Sequence, residues 1–285
     1  PVEVVAEVVT PPMVGPRDNG ARMAGATILF VGDVCAGPGR RALRALLPGL
    51  RDETGATFVV VNGENAAGGI GITPDTADEL FVAGADVITL GNHAYRHREI
   101  YRYLDEREHI VRPANYLASQ PGRGTTLVER DGMRLGVANL SGNVFMQAGR
   151  PAFPEADAAV GDLRRRGAHH ILLDFHAEAT SEKVAMGWHL DGRATAVVGT
   201  HTHVPTADAR VLPGGTAHIT DVGMTGAREG VIGMRREGAL EGFRTHMPIR
   251  HQPAEGDPWL MGVVIRCSER ALRAEAIEQV LRPLR

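Results

Sequence analysis

The sequence predicts an α/β protein built on mixed β-sheet, and three observations support this prediction. Of the 285 residues, 43% are apolar, as in ordinary globular proteins. From residue 26 onward, β-branched runs alternate with amphipathic stretches, and no internal repeat or low-complexity segment interrupts them. The length is near the upper limit for one hydrophobic core, so we expect a single domain over residues 26–285.

The first 25 residues differ from the rest of the chain. The stretch PVEVVAEVVTPPMVGPRDNGARMAG mixes prolines with scattered valines and has no helical or strand period. It lacks the basic start and unbroken apolar run of a signal peptide. We therefore predict an N-terminal extension over residues 1–25 with no catalytic role.

Strands and helices alternate along the remaining chain. Leucines at helical spacing predict a helix over residues 38–54, and Thr73 before Pro74 predicts a capped helix over 73–85. Another helix is expected over 181–192. Five apolar runs are predicted to be strands: ATILFVGDV (26–34), TFVVVNGEN (57–65), DVITLGNH (86–93), HHILLDFHAE (169–178) and ATAVVGTHTH (194–203).

Two hairpins are also predicted. Asp131-Gly132 lies between two strand-like runs and is a strong signal for a tight turn. A second hairpin is expected near the C-terminus, over residues 259–280.

Charge and cysteine content exclude several classes of protein. With 31 basic and 34 acidic residues, the net charge is −3, so we expect neither stable nucleic-acid binding nor an anionic membrane partner. Cys35 and Cys267 are too few for a disulfide framework, and no apolar run approaches the ~20 residues of a membrane span. These features favour a cytoplasmic enzyme or binding protein.

Polar side chains follow all five predicted strands, usually after a glycine. Because the carboxyl ends of strands joined by crossovers share one edge of a sheet, we expect these side chains to lie together. His201 and His203 are two apart on a chain taken as extended, so both rings should face one object. The set comprises Asp33, Glu64, Asn65, Asn92, His93, His176, His201 and His203.

Each of these residues also has an ordinary structural interpretation. Asp33 is a possible helix cap, Glu64 and Asn65 possible turn residues, and His176 a possible hydrogen-bonded core histidine. Their recurrence at equivalent strand ends favours a metal site. The other histidines lack this setting and are assigned to packing or solvent: His97, His109, His169, His170, His189, His218, His246 and His251.

The residue types indicate which metals fit. Oxygen and imidazole ligands without paired thiolates suit Mn, Fe or Zn rather than a structural zinc cluster. With a bridging carboxylate, the set is large enough for two ions ~3.5–4 Å apart, as in hydrolytic two-metal sites. This pattern favours phosphoester hydrolysis.

Long motifs in this sequence resemble one known family. The calcineurin-like metallophosphoesterases, and more closely their YmdB-like branch, share these patterns from about Ala26 almost to the C-terminus. The resemblance implies a four-layer fold, in which two packed mixed β-sheets are flanked by helices, with a dinuclear metal site at the strand ends. The motifs are GDV (32–34), NGEN (62–65), GNH (91–93), RPAN (112–115), FHAEATSEK (175–183), GTHTH (199–203) and DVGMTG (221–226).

The resemblance also implies roles for individual residues. Asp33, Glu64 and His203 would hold the first metal, with Asn65 near it or ligating. Glu64 would bridge to the second metal, which Asn92, His176 and His201 complete. His93 would donate a proton to the leaving oxygen or hydrogen-bond the developing charge, without binding metal.

Three positions depart from the wider superfamily. Cys35 stands where a histidine is common, Glu64 where the bridging residue is usually aspartate, and Ala94 where an acid often follows. The first metal therefore loses an imidazole. Cys35 is either a thiolate ligand or, as we favour, a small buried bystander.

The branch resemblance implies a phosphodiesterase that uses two divalent or trivalent metal ions, Fe or Mn before Zn. The preferred substrates are 2′,3′-cyclic nucleotides, with 3′,5′-cyclic nucleotides next, attacked by a metal-activated hydroxide. One alternative is a phosphomonoesterase or phosphoprotein phosphatase. Another is a metal-binding regulator that affects RNA turnover or cell-state decisions mainly by binding.

Two weaker expectations follow from the same resemblance. Asn115, Thr180, Ser181 and Glu182 lie in shared segments and are candidates for substrate contacts, although helix capping and turn formation explain them equally well. A homo-oligomer, dimer or tetramer, is suggested by the branch.

Overall fold

The computed structural model describes residues 25–269 and 272–285. Most of the predicted N-terminal extension, residues 1–24, lies outside the described residues. Within these ranges, no helix is both long enough and apolar enough to cross a bilayer.

The helices are α1 Ala36–Thr54, α2 Pro74–Val82, α3 Ile100–Glu106, α4 Ala152–Arg165, α5 Thr180–His189 and α6 Arg236–Thr245. The strands are β1 Thr27–Val31, β2 Asp33–Val34, β3 Phe58–Asn62, β4 Val87–Thr89, β5 Ile110–Val111, β6 Thr125–Arg130, β7 Met133–Ser141, β8 His170–His176, β9 Ala196–Thr200, β10 Arg210–Val211, β11 Ala217–Ile219, β12 Met224–Ala227, β13 Pro258–Cys267 and β14 Ala274–Pro283.

The strands of the described ranges form two mixed sheets. The first has the order β2-β12-β13-β1-β3-β4-β5, with β14 beside β13, and the second has the order β10-β11-β9-β8-β7-β6. Parallel pairing runs through β1, β3, β4 and β5, and through β7, β8, β9 and β11. Antiparallel strands complete each sheet, including β13 beside β1 and β6 beside β7.

Alternation along the strands builds four layers. In β1, Ile28 and Phe30 belong to the core between the two sheets, together with Leu172 of the second sheet. Leu29 points the other way and packs with Leu43 of α1. On the far side of the second sheet, α4 and α5 cover a third cluster. The predicted four-layer α/β architecture is confirmed.

Most predicted elements are found, with shifted ends. The Thr73 hydroxyl caps α2, where it accepts a hydrogen bond from the Thr76 N–H (3.3 Å), and Pro74 is the first helical residue, as predicted. Helix α5 ends earlier than expected, and a turn follows it. Asp131 and Gly132 both adopt positive φ (51° and 74°) between β6 and β7, as a tight hairpin turn requires. Strands β13 and β14 form the predicted C-terminal hairpin.

The first predicted strand is divided at Gly32. β1 lies between β13 and β3, whereas β2 pairs with β12. A Cβ at Gly32 would overlap the carbonyl oxygen of Gly223, so only glycine allows the backbones to approach this closely. The division gives Asp33 a different strand partner from β1.

Candidate metal centre

The predicted strand-end residues meet between the two sheets. The first sheet supplies Asp33, Glu64 and Asn92, and the second supplies His176 and the segment after β9. Glu64 Oε1 lies 3.1 Å from His176 Nε2, which joins the end of β3 to the end of β8. The His201 N–H donates to Asp33 Oδ2 (3.2 Å), which joins β9 to β2.

Hydrogen bonds orient the ring of His176. The Thr200 hydroxyl donates its only hydrogen to Asp174 Oδ1 (2.7 Å), so it must accept from His176 Nδ1, 2.8 Å away. The hydrogen of a neutral His176 is therefore on Nδ1. Its Nε2 presents a lone pair to the cluster.

Glu178 orients His201 in the same way. Glu178 Oε2 lies 2.9 Å from His201 Nε2, so this nitrogen carries the hydrogen and donates it to the carboxylate. The lone pair of His201 is then on Nδ1, which lies 3.0 Å from His176 Nε2. Carboxylate partners of this kind fix metal-binding imidazoles in many proteins.

With both imidazoles neutral, as metal binding requires, four acceptor atoms converge with no hydrogen between them. Around His176 Nε2 lie Glu64 Oε1 at 3.1 Å, Asn92 Oδ1 at 3.0 Å and His201 Nδ1 at 3.0 Å. Within the described ranges, Glu64, His176 and His201 form the group whose ligand atoms all lie within 4.8 Å of one another. Converging lone pairs repel unless a cation lies among them, so this donor set fits a metal ion.

A second group of donors lies beside the first. The His203 Nδ1 hydrogen is donated to the Ile232 carbonyl (3.0 Å), which leaves Nε2 free, 3.9 Å from Asp33 Oδ1. Asp33 is fully buried, and its Oδ1 has no hydrogen-bond partner among the described residues. A buried carboxylate oxygen without a partner is costly, which a second cation would relieve.

Asn65 connects the two groups. Its Nδ2 donates to Glu64 Oε1 (3.0 Å) and lies 3.3 Å from His203 Nε2. Its Oδ1 is 2.8 Å from His93 Nδ1, so the amide oxygen bonds to His93 rather than facing Asp33. Glu64 Oε1 contacts His176 of the first group directly and reaches the second group through Asn65, so the carboxylate lies between the two groups.

Burial and the neighbouring charges shift the pKa values of the cluster in directions that favour added positive charge. Burial raises the pKa of Asp33. Burial would also raise the pKa of Glu64, but His176 and His93 outweigh it and hold that pKa well below its usual range. Burial alone would lower the pKa of His176, yet the charges of Glu64, Asp33 and Asp174 raise it to about 9. A proton on His176 thus partly supplies the charge that a metal ion would bring.

His93 is held at the edge of this cluster. Its Nδ1 donates to Asn65 Oδ1 and lies 3.3 Å from Glu64 Oε1, while its backbone N–H donates to Glu64 Oε2 (3.2 Å). Its Nε2 has no partner among the described residues, and the side chain is 31% exposed. The ring is therefore fixed at one nitrogen and open to a ligand at the other.

The sequence argument for the His-Thr-His pair is wrong in its reason. Strand β9 ends at Thr200, and His201 and His203 both have positive φ (99° and 66°), so neither residue is extended. Both rings nevertheless reach the cluster. Asp221 holds the intervening Thr202 by accepting from its backbone N–H (3.1 Å) and its hydroxyl (2.7 Å).

Gly91 shows why a glycine precedes this part of the site. A Cβ there would overlap both Glu64 Oε2 and His176 Nε2. The backbone of the segment after β4 passes directly against the two side chains, so any larger residue would displace them.

Cys35 lies in an apolar environment. It is buried with Ala36 and Met224, and Met234 packs against them. Burial, followed by the charges of Asp33 and Glu64, raises the pKa of its thiol to about 12. These contacts support the interpretation of Cys35 as a protonated bystander.

The weaker substrate candidates have mostly structural partners. Asn115 is buried and bonds twice to the Ser141 backbone, at the end of β7. The Glu182 carboxylate accepts the N–H groups of Asn143 (2.8 Å) and Val144 (3.3 Å). Thr180 and Ser181 are exposed in the first turn of α5, where the cap is Ala179, so a capping role for Ser181 is wrong. Contacts of these four residues with substrate remain a prediction.

Sequence reasoning missed the residues that hold the candidate ligands in place. Asp174 orients His176 through Thr200, Glu178 orients His201, and Lys183 pairs with Asp221 beneath Thr202 (2.7 Å). Asp174, Glu178 and Lys183 lie in or beside the FHAEATSEK motif, so three charged residues close to a predicted buried strand were an available signal.

Among the excluded histidines, His189 bonds to Asp157 and His218 to the Val197 carbonyl, as packing roles require.

Two facing mixed sheets with buried oxygen and imidazole donors at their shared edge define a metallophosphoesterase class of protein. The calcineurin-like phosphoesterase YfkN from Bacillus subtilis has this fold, with a TM-score of 0.56 at 12% identity over 91% of each chain. That likeness concerns the fold. Residues 29–280 match the model of the YmdB-like protein family, and the chain belongs to this family. The family prediction is therefore confirmed.

Two relatives are similar over nearly their whole length. A Bacillus subtilis protein named 2′,3′-cyclic-nucleotide 2′-phosphodiesterase is 47% identical over 254 residues, which cover 89% of this chain and 96% of that protein. A Mycoplasma pneumoniae crystal structure described as a novel phosphatase has a TM-score of 0.85 at 30% identity, covering 92% of this chain and 95% of the other.

Proposed function

We propose that this protein hydrolyses 2′,3′-cyclic nucleotides with the help of two metal ions held between its sheets. The observation that carries the proposal is the convergence of three acceptor atoms around His176 Nε2, beside a second buried group at Asp33. The substrate class is supported by the relative that is 47% identical to this chain. The more general prediction of a phosphodiester hydrolase is confirmed by the similar phosphodiesterase and phosphatase.

The donor set assigns residues to each ion. Asp33 and His203 would hold one ion, and Asn92, His176 and His201 the other, with Glu64 shared and Asn65 beside both. When bound, two such ions supply Lewis acidity and an activated water, and these donors suit Fe or Mn, with Zn accommodated as well. The remaining chemistry belongs to the protein's own side chains.

His93 is the proton donor in this proposal. Water adds to phosphorus through its oxygen, the P–O2′ bond breaks, and the leaving O2′ takes a proton from His93 Nε2 to become a hydroxyl, while the proton released by the water restores His93. Asn65 and Glu64 accept at Nδ1, so the ring carries a hydrogen on each nitrogen before the transfer, keeps the one on Nδ1 and gives up the one on Nε2. Glu64 is itself buried, with a side chain that is only 1% exposed, so its carboxylate meets protein donors rather than bulk water.

Hydrolysis of 2′,3′-cyclic AMP tests the proposal. The purified protein would be stripped of metal and reloaded with Mn²⁺, Fe²⁺ or Zn²⁺, alongside Glu64→Ala. We expect metal-dependent turnover in the wild type and none in the variant, because Glu64 contacts His176 in one donor group and Asn65, which links it to the other. Wild-type protein that binds metal but leaves the substrate intact would contradict the proposal.

A phosphomonoesterase is the second candidate, because the Mycoplasma pneumoniae relative is described as a phosphatase. Comparison of kcat/KM for 2′,3′-cyclic AMP with that for 3′-AMP separates the two. We expect the cyclic diester to be the better substrate.

A further inference from the structure

A cavity of about 940 Å³ lies beside the proposed metal centre, since His93 lines its wall. Residues 68–70 form one side, and residues from 231 to 253, including part of α6, form the other. Pockets for single small ligands usually enclose about 300–1,000 Å³. This cavity is at the upper end of that range, so it has room for more than a cyclic mononucleotide.

Two guanidinium groups line the cavity without partners. Neither the Arg96 nor the Arg250 side chain makes a hydrogen bond or ion pair with the described residues, and no carboxylate is among the lining side chains. The Arg96 N–H donates to the His93 carbonyl (3.0 Å), so Arg96 belongs to the same turn as the proposed proton donor. Unpaired arginines without a nearby acid are suited to bind phosphate.

An aromatic side chain lines the same cavity. Phe243 is 76% exposed on α6, although the helix buries Ala239 nearby. A large exposed aromatic ring beside unpaired arginines is the combination with which proteins bind single-stranded nucleotides, by stacking on the base and pairing with the phosphate.

A cyclic mononucleotide has no second phosphate to offer Arg96 and Arg250, because its one phosphate is the group that reacts at the metal centre. We infer that the cavity binds the neighbouring nucleotide on the 5′ side, so that the preferred substrate is the 3′ end of a short oligoribonucleotide with a terminal 2′,3′-cyclic phosphate. The inference rests on the proposed function, whose substrate class it narrows. The net charge of −3 is compatible with it, because the recognition is local and involves one phosphate rather than a long basic surface.

Three substrates separate the contributions of phosphate and base. They are 2′,3′-cyclic AMP, the same nucleotide with a 5′-phosphate, and the dinucleotide ApA with a terminal 2′,3′-cyclic phosphate. For the wild type, we expect kcat/KM to be about tenfold or more higher for the dinucleotide than for 2′,3′-cyclic AMP, with the 5′-phosphorylated nucleotide between them. The gain should lie mainly in KM and should shrink as salt screens the phosphate contact.

Substitutions assign the gain to residues. Arg96→Gln and Arg250→Gln should bring the ratio of dinucleotide to mononucleotide kcat/KM towards one, and Arg96→Lys should restore part of it. Phe243→Ala should remove the advantage of the dinucleotide over the 5′-phosphorylated nucleotide. Arg244→Gln is the control. It also removes one arginine charge, from α6 beside Phe243, but Arg244 does not line the cavity.

Binding provides a readout that does not depend on turnover. Calorimetric titration with ApA carrying a 3′-phosphate, compared with 3′-AMP, should show tighter binding of the dinucleotide in the wild type and not in Arg96→Gln. Equal binding of the two ligands would overturn the inference, even if no substrate were hydrolysed.

If 2′,3′-cyclic AMP is hydrolysed but the dinucleotide has no advantage, the inference fails and the proposed function stands. A 5′-phosphorylated nucleotide as good as the dinucleotide would also overturn it, since the cavity would then bind phosphate alone.

Discussion

His176 illustrates how atoms outside the cluster prepare a single side chain for ligation. Burial raises the pKa of Asp174 to about 6, but the carboxylate is still ionised at neutral pH and accepts the Thr200 hydroxyl hydrogen. Thr200 must then accept from His176 Nδ1, which turns the Nε2 lone pair towards Glu64. One hydroxyl hydrogen therefore decides which nitrogen of the ring is available.

Thr200→Val should lower metal affinity about 10- to 100-fold, because valine has the same shape but cannot accept the His176 Nδ1 hydrogen. Metal titration of the stripped protein, followed by calorimetry, measures the change. Thr200→Ser keeps the hydroxyl and should retain most of the affinity. Equal weakening in both variants would mean that packing, rather than the hydrogen bond, orients His176.

His93→Ala should lower the turnover of 2′,3′-cyclic AMP by about 10²- to 10⁴-fold, the usual contribution of a proton donor. Metal content, measured by mass spectrometry, should stay at the wild-type level, because His93 is assigned no ligand role. His109→Ala, at a histidine outside the cluster, serves as the control and should keep the rate. Loss of metal from His93→Ala would show that His93 belongs among the ligands.

At the scale of elements, the segment after β9 depends on a buried ion pair. Lys183 of α5 is the only lysine in the sequence and is 1% exposed, and its Nζ lies 2.7 Å from Asp221 Oδ2. The same carboxylate oxygen accepts two hydrogen bonds from Thr202, between the two histidines with positive φ. Helix α5 thereby supports a strained backbone conformation that β9 alone could not hold.

Lys183→Met should lower the free energy of unfolding by about 3–5 kcal/mol, because it leaves the buried Asp221 carboxylate without its partner. Urea denaturation monitored by circular dichroism gives the value. Arg41→Met, which breaks the solvent-exposed pair with Glu255, is the control and should have a much smaller effect. The double variant Lys183→Met/Asp221→Asn should recover part of the loss, and an unchanged unfolding curve in the single variant would refute this role for the pair.

At the scale of the whole molecule, the candidate centre connects the two sheets. Asp33, Glu64 and Asn92 come from the first sheet, and His176 and His201 from the second, while an apolar cluster occupies much of the space between the sheets. Asn62 and Thr89 of the first sheet also donate hydrogen bonds to Asp174 of the second, and ions bound here would add further links between the layers. Metal binding should therefore stabilise the fold as well as serve the reaction.

Chelation should lower the melting temperature by about 5–10 °C. A ligand at 100 times its Kd stabilises the folded state by about 2.7 kcal/mol. Each kcal/mol changes the melting temperature of a chain of this size by about 2–4 °C. Differential scanning calorimetry with and without EDTA, followed by metal readdition, measures the shift. Glu64→Ala should melt at the same temperature in both conditions. A melting temperature of the wild type that does not respond to metal would contradict the link between the sheets.

Several elements could not be predicted from local patterns. Strands β10 to β12 are two to four residues long and acquire their structure from neighbouring strands, and β2 depends on pairing with a segment about 190 residues away. Helix α6 buries little of its surface, so its apolar residues gave no clear core-facing stripe. Such elements depend on tertiary partners more than on their own sequence.

The sequence by itself determined the alternation of strands and helices, the two hairpin turns and the placement of donor residues at the strand ends, because period, turn chemistry and position along a strand are local properties. Tertiary structure decided which atoms of those donors meet. Thr200 and Glu178 select the free nitrogens of His176 and His201, and the Lys183–Asp221 pair supports the turn that carries His201. These contacts join distant parts of the chain, and hydrogen-bond geometry acts over about 3 Å. No spacing along the sequence specifies a distance of that size, so only the packed fold could set it.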